Sequence, residues 1–233
     1  MPEDPTERAR EAAARRAVEM VHGGLRIALG TGTTTALVVK QLALRFPKGL
    51  GLDLVASSRA TEELARSLGL PIRALREYDH FDLMIDGADE VTPSLDLTKG
   101  AGGALFREKL LAKMSDELDI VVDASKLVRR LGERSPVPVE VVPFARPVLL
   151  RALATDGFTA NLRMTAAGTP FVTDNGNEII DLKPTRPIED PAAVDRLLRS
   201  RTGVIETGIF PGLAHRVFVG QTNGRVEERR RAR

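Results

Sequence analysis

Over the first half of the chain, short apolar runs alternate with stretches whose apolar positions recur every three to four residues. "LRIALG" (25–30) predicts a strand and "TTTALVVKQLALRF" (33–46) a helix. "LDLVAS" (52–57) predicts a second strand, followed by a helix over 59–69 that ends on Gly69 as a left-handed cap. "PIRAL" (71–75) reads as a short strand, while "FDLMID" (81–86) and "LDIVVDAS" (118–125) read as central ones. Between the last two, residues 102–115 are helical in period. Strands that are apolar throughout and spaced by helices indicate a parallel sheet covered on both faces. The expectation is an α/β fold, a doubly wound and mostly parallel sheet.

The pattern changes after Lys126. "SPVPVEVVPFARP" (135–147) is too rich in proline for a central strand and predicts an edge or linking segment. A helix over 147–157, an alternating strand over 158–165 and a hairpin over 170–182 follow, the hairpin turning at Asp174-Asn175-Gly176. Asp190 and Pro191 then open a helix that closes at Gly203. These elements predict a second, smaller α+β domain at residues 131–204. "IETGIF" (205–210) and "HRVFVG" (215–220) are expected to rejoin the first sheet, so the α/β domain comprises 1–130 and 205–233.

Composition narrows the class. Hydrophobic residues make up 42% and charged residues 28% of the 233, an ordinary globular balance. No apolar run reaches the roughly 18 residues of a membrane helix, and the polar "MPEDPTERAR" is not a signal peptide. There is no cysteine, hence no disulfide or thiolate chemistry, which points to the cytoplasm. The net charge of +2 owes its sign to the last nine residues, "RVEERRRAR". With aromatics at 4%, stacking surfaces for nucleic acid are not expected, so neither nucleic acid nor membrane is a predicted partner.

Three segments carry candidate chemistry. "GTGTTT" (30–35) joins a strand to a helix with two glycines and free helix-terminal N–H groups, which suits a phosphate. It has neither the third glycine of a dinucleotide fingerprint nor the Gly-Lys of a nucleotide loop, and a tight turn capped by threonines also fits it. "DGADEVTPSLDLTKGAGG" (86–103) places Asp86 and Asp89 at a strand's carboxyl end, where open α/β sheets bind ligands, and leads through Lys99 into a second glycine loop. Glu90 beside them reads as a surface residue or a structural ion pair. On the helical wheel Glu108 turns inward among apolar side chains, while Lys109 and Lys113 form a polar stripe. Desolvation makes such a carboxylate a stronger base, although an internal ion pair fits the same position. Lys126 in "DASK" adds a positive charge after another strand. His22, His80 and His215 match no metal spacing.

Taken together, "GLRIALGTGTTT", "DLMIDGADEV", "KGAGGALFREK", "VVDASK", "PVEVVPFA", "TDNGN" and "IETGIF" resemble the A-type ribose-5-phosphate isomerases, in the same order and over nearly the whole chain. The resemblance implies an aldose–ketose isomerase of the pentose phosphate pathway that uses no metal or organic cofactor and assembles as a homodimer or homotetramer. It implies Glu108 as the general base, with Asp86, Asp89 and Lys99 as further catalytic residues. It implies substrate contacts at Thr31, Gly32, Thr33, Thr34, Gly87, Ala88, Gly100, Ala101, Gly102 and Lys126. Ala101 departs from the family, many of whose members have a third glycine there. Two other readings compete: a non-catalytic sugar-phosphate sensor, and a related sugar-phosphate isomerase or deaminase.

Overall fold

The computed structural model describes residues 4–49 and 51–231; the first three residues of the polar N-terminus and the last two of the Arg-rich tail lie outside this range. The chain opens with α1 (Pro5–Val18), capped by the Asp4 carboxylate on the Thr6 N–H at 2.9 Å. Then come β1 (Arg26–Leu29), α2 (Thr33–Arg45), β2 (Asp53–Ala56), α3 (Arg59–Ser67) and β3 (Phe81–Asp86). The short β4 (Glu90–Val91) and β5 (Leu97–Thr98) precede α4 (Leu105–Lys113) and β6 (Ser115–Asp123). The segment 71–75 does not form a strand; it contributes a single bridge, Ile72 to Leu54. Beyond it lie β7 (Val137–Val141), α5 (Arg146–Thr155), β8 (Phe158–Leu162), β9 (Glu178–Pro184) and α6 (Pro191–Arg199). The chain finishes with β10 (Val204–Thr207), β11 (Ile209–Phe210), β12 (Arg216–Gly220) and β13 (Val226–Arg230).

Two compact units result: residues 1–88, 107–126 and 213–233 form one, and 89–106 with 127–212 the other. The first is built on a six-stranded sheet of order β13-β12-β6-β3-β1-β2, parallel except for β13. Its parallel strands are largely buried as their apolar runs predict, and Ile27, Leu29, Ile85, Val121 and Phe218 pack with Ala13 and Ala17 of α1 and Val38 and Leu42 of α2. Gly220 permits the close approach of α1, since a Cβ there would meet the Ala9 carbonyl oxygen at 1.9 Å. Arg216 is buried in β12 against Asp119 of β6, 2.9 Å away. Residues 226–230 of the basic tail form β13, which pairs along its whole length with β12, and its arginines bond to Glu227 and Glu228 of the same strand. Charged side chains on an edge strand discourage further strand addition.

The second unit holds a four-stranded antiparallel sheet, β10-β7-β9-β8, and a three-stranded one, β11-β5-β4. β7 corrects the edge or linking role expected of 135–147, because it lies inside its sheet between β10 and β9. Its proline is tolerated because of where it falls. Pro138 sits just past the last β10 partner pair, Thr207 with Val139, and its carbonyl accepts the Gly208 N–H at 2.7 Å. The ladder position that lacks a donor is therefore at the end of the pairing rather than within it. Of the two C-terminal segments expected to rejoin the first sheet, only 215–220 does so, as β12; 205–210 supplies β10 and β11. The turn at Asp174-Asn175-Gly176 is present, with Gly176 at φ +81° and the Thr173 N–H bonded to the Asn177 carbonyl.

Candidate active site

In the six-stranded sheet the strand order reverses between β1 and β3. β1 leads to β2 on one side, whereas β3 begins the run through β6 and β12 on the other. At such a switch the connections leaving the carboxyl ends diverge and open a crevice. Two sequence-predicted segments start at these strand ends, Gly30–Thr34 after β1 and Asp86–Ala88 at β3.

Asp86 is fully buried, and its Oδ1 accepts the Thr31 N–H (3.1 Å), the Thr35 hydroxyl (3.2 Å) and the Gly87 N–H (2.7 Å). One carboxylate thus ties the threonine loop to the end of the neighbouring strand. Gly30 is required by space rather than by dihedral angle, because a Cβ at that position would lie 1.8 Å from the Asp86 Cγ. Gly32, at φ +108°, turns the chain into α2 without a side-chain cap, so the first N–H groups of that helix remain available to an anion. Thr31 and Thr34 are half-buried, Gly32 and Thr33 exposed. Arg10, which no sequence signal marked, donates to the Thr33 hydroxyl at 3.2 Å. Lys126, half-buried, ends the turn after β6, so it leaves the same end of the sheet one strand away from β3. Gly30→Ala is expected to displace Asp86 from the loop, costing about 1–3 kcal/mol of stability and more than a tenfold loss in kcat/KM. Thermal denaturation and steady-state assays check both.

Glu108 lies in the first turn of α4 and is 3% exposed, in agreement with the wheel. The same wheel misplaces Lys109, which is 2% exposed, while Lys113 faces solvent. Leu105, Leu111 and Ala112 are buried on the same side as Glu108 and Lys109, whereas Leu110 and Lys113 are exposed. Charges on the buried side and a leucine on the exposed one blur the apolar stripe from which direction is read.

In the second unit, Asp89 is half-buried and its Oδ2 accepts the Ala101 N–H at 3.0 Å. Lys99 is 3% exposed; its backbone N–H bonds to the Gly208 carbonyl (2.8 Å) and its ammonium lies 5.6 Å from the centre of the Phe210 ring. Gly100 and Gly103 have φ of +103° and +80°, and a Cβ on Gly103 would press into Phe171 at 2.5 Å. Ala101 does not share that left-handed geometry and is exposed, which explains why a methyl group is accommodated there. Arg163 of the loop after β8 holds the carbonyls of Gly100 (2.8 Å) and Ala101 (3.0 Å) while paired with Asp181. Nothing in its sequence context singled it out.

Glu90 is not a surface residue. It is fully buried and accepts four donors: the Thr98 hydroxyl (3.0 Å) and the N–H groups of Gly132 (2.6 Å), Arg134 (2.6 Å) and Ser135 (2.8 Å). Its hydrogen-bond partners are one hydroxyl and three backbone amides, so it anchors the 132–135 loop in the manner of a cap. The histidines also need one amendment. His80, Asp82 and Asp116 bring ligand atoms within 4.8 Å of one another near the amino ends of β3 and β6, but Arg26 bonds to both His80 and Asp82 and its charge opposes a cation.

Comparison with known proteins identifies the family. Residues 53–224 match the family model described as ribose 5-phosphate isomerase A (phosphoriboisomerase A). Ribose-5-phosphate isomerase A of Thermomicrobium roseum is 47% identical over 228 residues, 97% of this chain and 96% of the relative. That of Chloroflexus aurantiacus is 45% identical over 94% of this chain and 92% of its own. A solved D-ribose-5-phosphate isomerase in complex with phospho-erythronic acid superposes with a TM-score of 0.93 at 38% identity, covering 97% of this chain and 99% of that one. The enzyme from Methanocaldococcus jannaschii superposes with a TM-score of 0.90 at 37% identity, over 96% and 99%. The chain therefore belongs to the ribose 5-phosphate isomerase A family.

Proposed function

We propose that the chain interconverts ribose 5-phosphate and ribulose 5-phosphate by moving one proton between C2 and C1 through a 1,2-enediolate, with Glu108 as the base. The observation that carries the assignment is the burial of Glu108, a helix carboxylate 3% exposed. Withdrawn from water, a carboxylate accepts a proton from carbon more readily. The sugar ring opens first: a proton leaves the C1 hydroxyl and another reaches the ring oxygen, the exchange assigned to Asp86 and Asp89. Glu108 then removes the C2 proton as the electron pair moves toward O1. The O2 proton passes to O1, Glu108 returns its proton to C1, and the ketone forms at C2.

The developing oxyanion is assigned to Lys99. Two N–H groups of the glycine loop are already committed, Ala101 to Asp89 and Gly103 to the Gly100 carbonyl, so the ammonium carries most of this stabilisation. The phosphate is assigned to Thr31–Thr34 and Lys126, with Gly87, Ala88 and Gly100–Gly102 contacting the sugar. Binding energy gathered at the phosphate positions the reacting carbons. A cytoplasmic homodimer or homotetramer is the expected form. Phe144 and Val148, 95% and 61% exposed, are large apolar side chains of the kind a subunit interface covers. No helix among the described residues is long and apolar enough to cross a membrane. Purified protein incubated with ribose 5-phosphate is expected to form ketose at a rate proportional to enzyme; folded protein that forms none contradicts the assignment.

A further inference from the structure

The second unit has a cleft of about 400 Å³ that none of the proposed catalytic residues lines. Its walls are the 129–133 loop and the end of β9 with the residues that follow, 183–187. Four cationic side chains line it: Arg129, Arg130, Lys183 and Arg186. Arg130 pairs with Glu189 at 3.1 Å, but among the described residues no carboxylate lies within ion-pair distance of Arg129, Lys183 or Arg186. Glu133 is the single acid of the lining, and its Oε2 accepts the Arg129 N–H at 3.0 Å. Like charges gathered around a concavity reinforce one another's potential and concentrate counter-ions there.

The walls are built, not merely adjacent. Glu90, fully buried, takes the N–H groups of Gly132, Arg134 and Ser135 and fixes the first wall. Gly132, at φ +77°, lies so close to the second wall that a Cβ would stand 2.5 Å from the Pro184 ring. Thr185 is held by two bonds to the Gly157 carbonyl, from its N–H (3.0 Å) and its hydroxyl (2.6 Å). A cleft whose backbone is pinned on both sides loses little freedom when occupied. Guanidinium groups bind phosphoryl oxygens through paired N–H donors, and the volume is within the range of small-molecule sites.

We infer that this cleft binds a phosphorylated small molecule carrying two or more adjacent phosphoryl groups, at a site separate from the isomerase chemistry. Several adjacent cations match a diphosphate better than a single phosphate. Glu90 follows Asp89 directly in the chain, so the loop that forms the cleft and one proposed catalytic acid share a single strand, β4, and its entrance.

The test is calorimetric titration of inorganic pyrophosphate into the full chain at about 0.15 M NaCl, where diffuse attraction is screened. Ribose 5-phosphate is kept saturating throughout, so that the catalytic phosphate position is filled. The expected result is one saturable site, at least about tenfold tighter for pyrophosphate than for orthophosphate. Arg129→Ala/Lys183→Ala/Arg186→Ala, a triple change of exposed residues, is expected to weaken that site tenfold or more and leave isomerase turnover unchanged. Absence of saturable binding, equal binding by the triple variant, or loss of turnover together with binding would each overturn the inference. The isomerase assay is read separately, so failure here leaves the catalytic assignment standing.

Discussion

Glu108→Gln is expected to lower kcat by about 10²–10⁴-fold, the span that a positioned general base contributes. The amide keeps the shape of the side chain in its buried position on α4 but cannot take a proton from carbon. Because the segment after β1 proposed to hold the phosphate is untouched, KM is expected to change by no more than a few fold. Equal losses in kcat and kcat/KM are the mark of an interaction made only in the transition state. Stability gives the internal control: circular dichroism and melting temperature should stay near those of the unmodified chain. A variant that turns over within a factor of about three of the original would remove Glu108 from the proton-transfer step.

Glu90→Ala is expected to have the largest effect on stability without touching the chemistry directly. Four hydrogen bonds converge on this buried carboxylate, three of them from backbone N–H groups of 132–135. A hydrogen bond to a charged partner contributes about 1.5–3 kcal/mol, and buried donors left without an acceptor cost a comparable amount. Water entering the vacated space offsets part of this, which sets the expected loss at about 3–5 kcal/mol, in the range reserved for broken buried networks. For a chain of this length that is a fall of roughly 10 °C in melting temperature. Glu189→Ala, which removes an exposed partner of Arg130, should shift stability by no more than about 0.5 kcal/mol. If the two variants melt together, Glu90 is not the anchor of its loop.

The segments that were legible in the sequence share one property: local pattern and tertiary setting agree. The apolar runs at 25–30, 81–86 and 118–125 supply buried strands of a parallel sheet, and the glycines at 30 and 32 mark the tight turn from β1 into α2. Asp86 was readable as a strand-end acid, though not as the residue that also secures the threonine loop, because its partners lie about 50 residues away. The misreadings have the opposite cause. Pro138 is compatible with an interior strand only because the neighbouring strand stops beside it, which is a fact of pairing register. Lys109 looked solvent-facing because the buried side of α4 carries charges while Leu110 faces solvent, which blurs the amphipathic signal. Glu90 and Arg163 bind backbone groups distant in sequence, and side chain to backbone bonds of that kind leave no trace in residue type.

The cluster "DGADE" thereby divides into three tasks. Asp86 secures the loop at the sheet's switch point, Asp89 engages the glycine loop after Lys99, and Glu90 anchors a distant loop. None of the three is assigned the carbon-bound proton.

That assignment is tested most directly by following the C1 protons of ribulose 5-phosphate by NMR in D₂O. With the unmodified chain, repeated turnover should replace one of the two C1 protons by solvent deuterium while the other persists. With Glu108→Gln, folded and still able to bind the sugar phosphate, that proton should remain in place over the same period. Exchange by Glu108→Gln at the rate of the unmodified chain would contradict the account, because some other group would then be moving the proton.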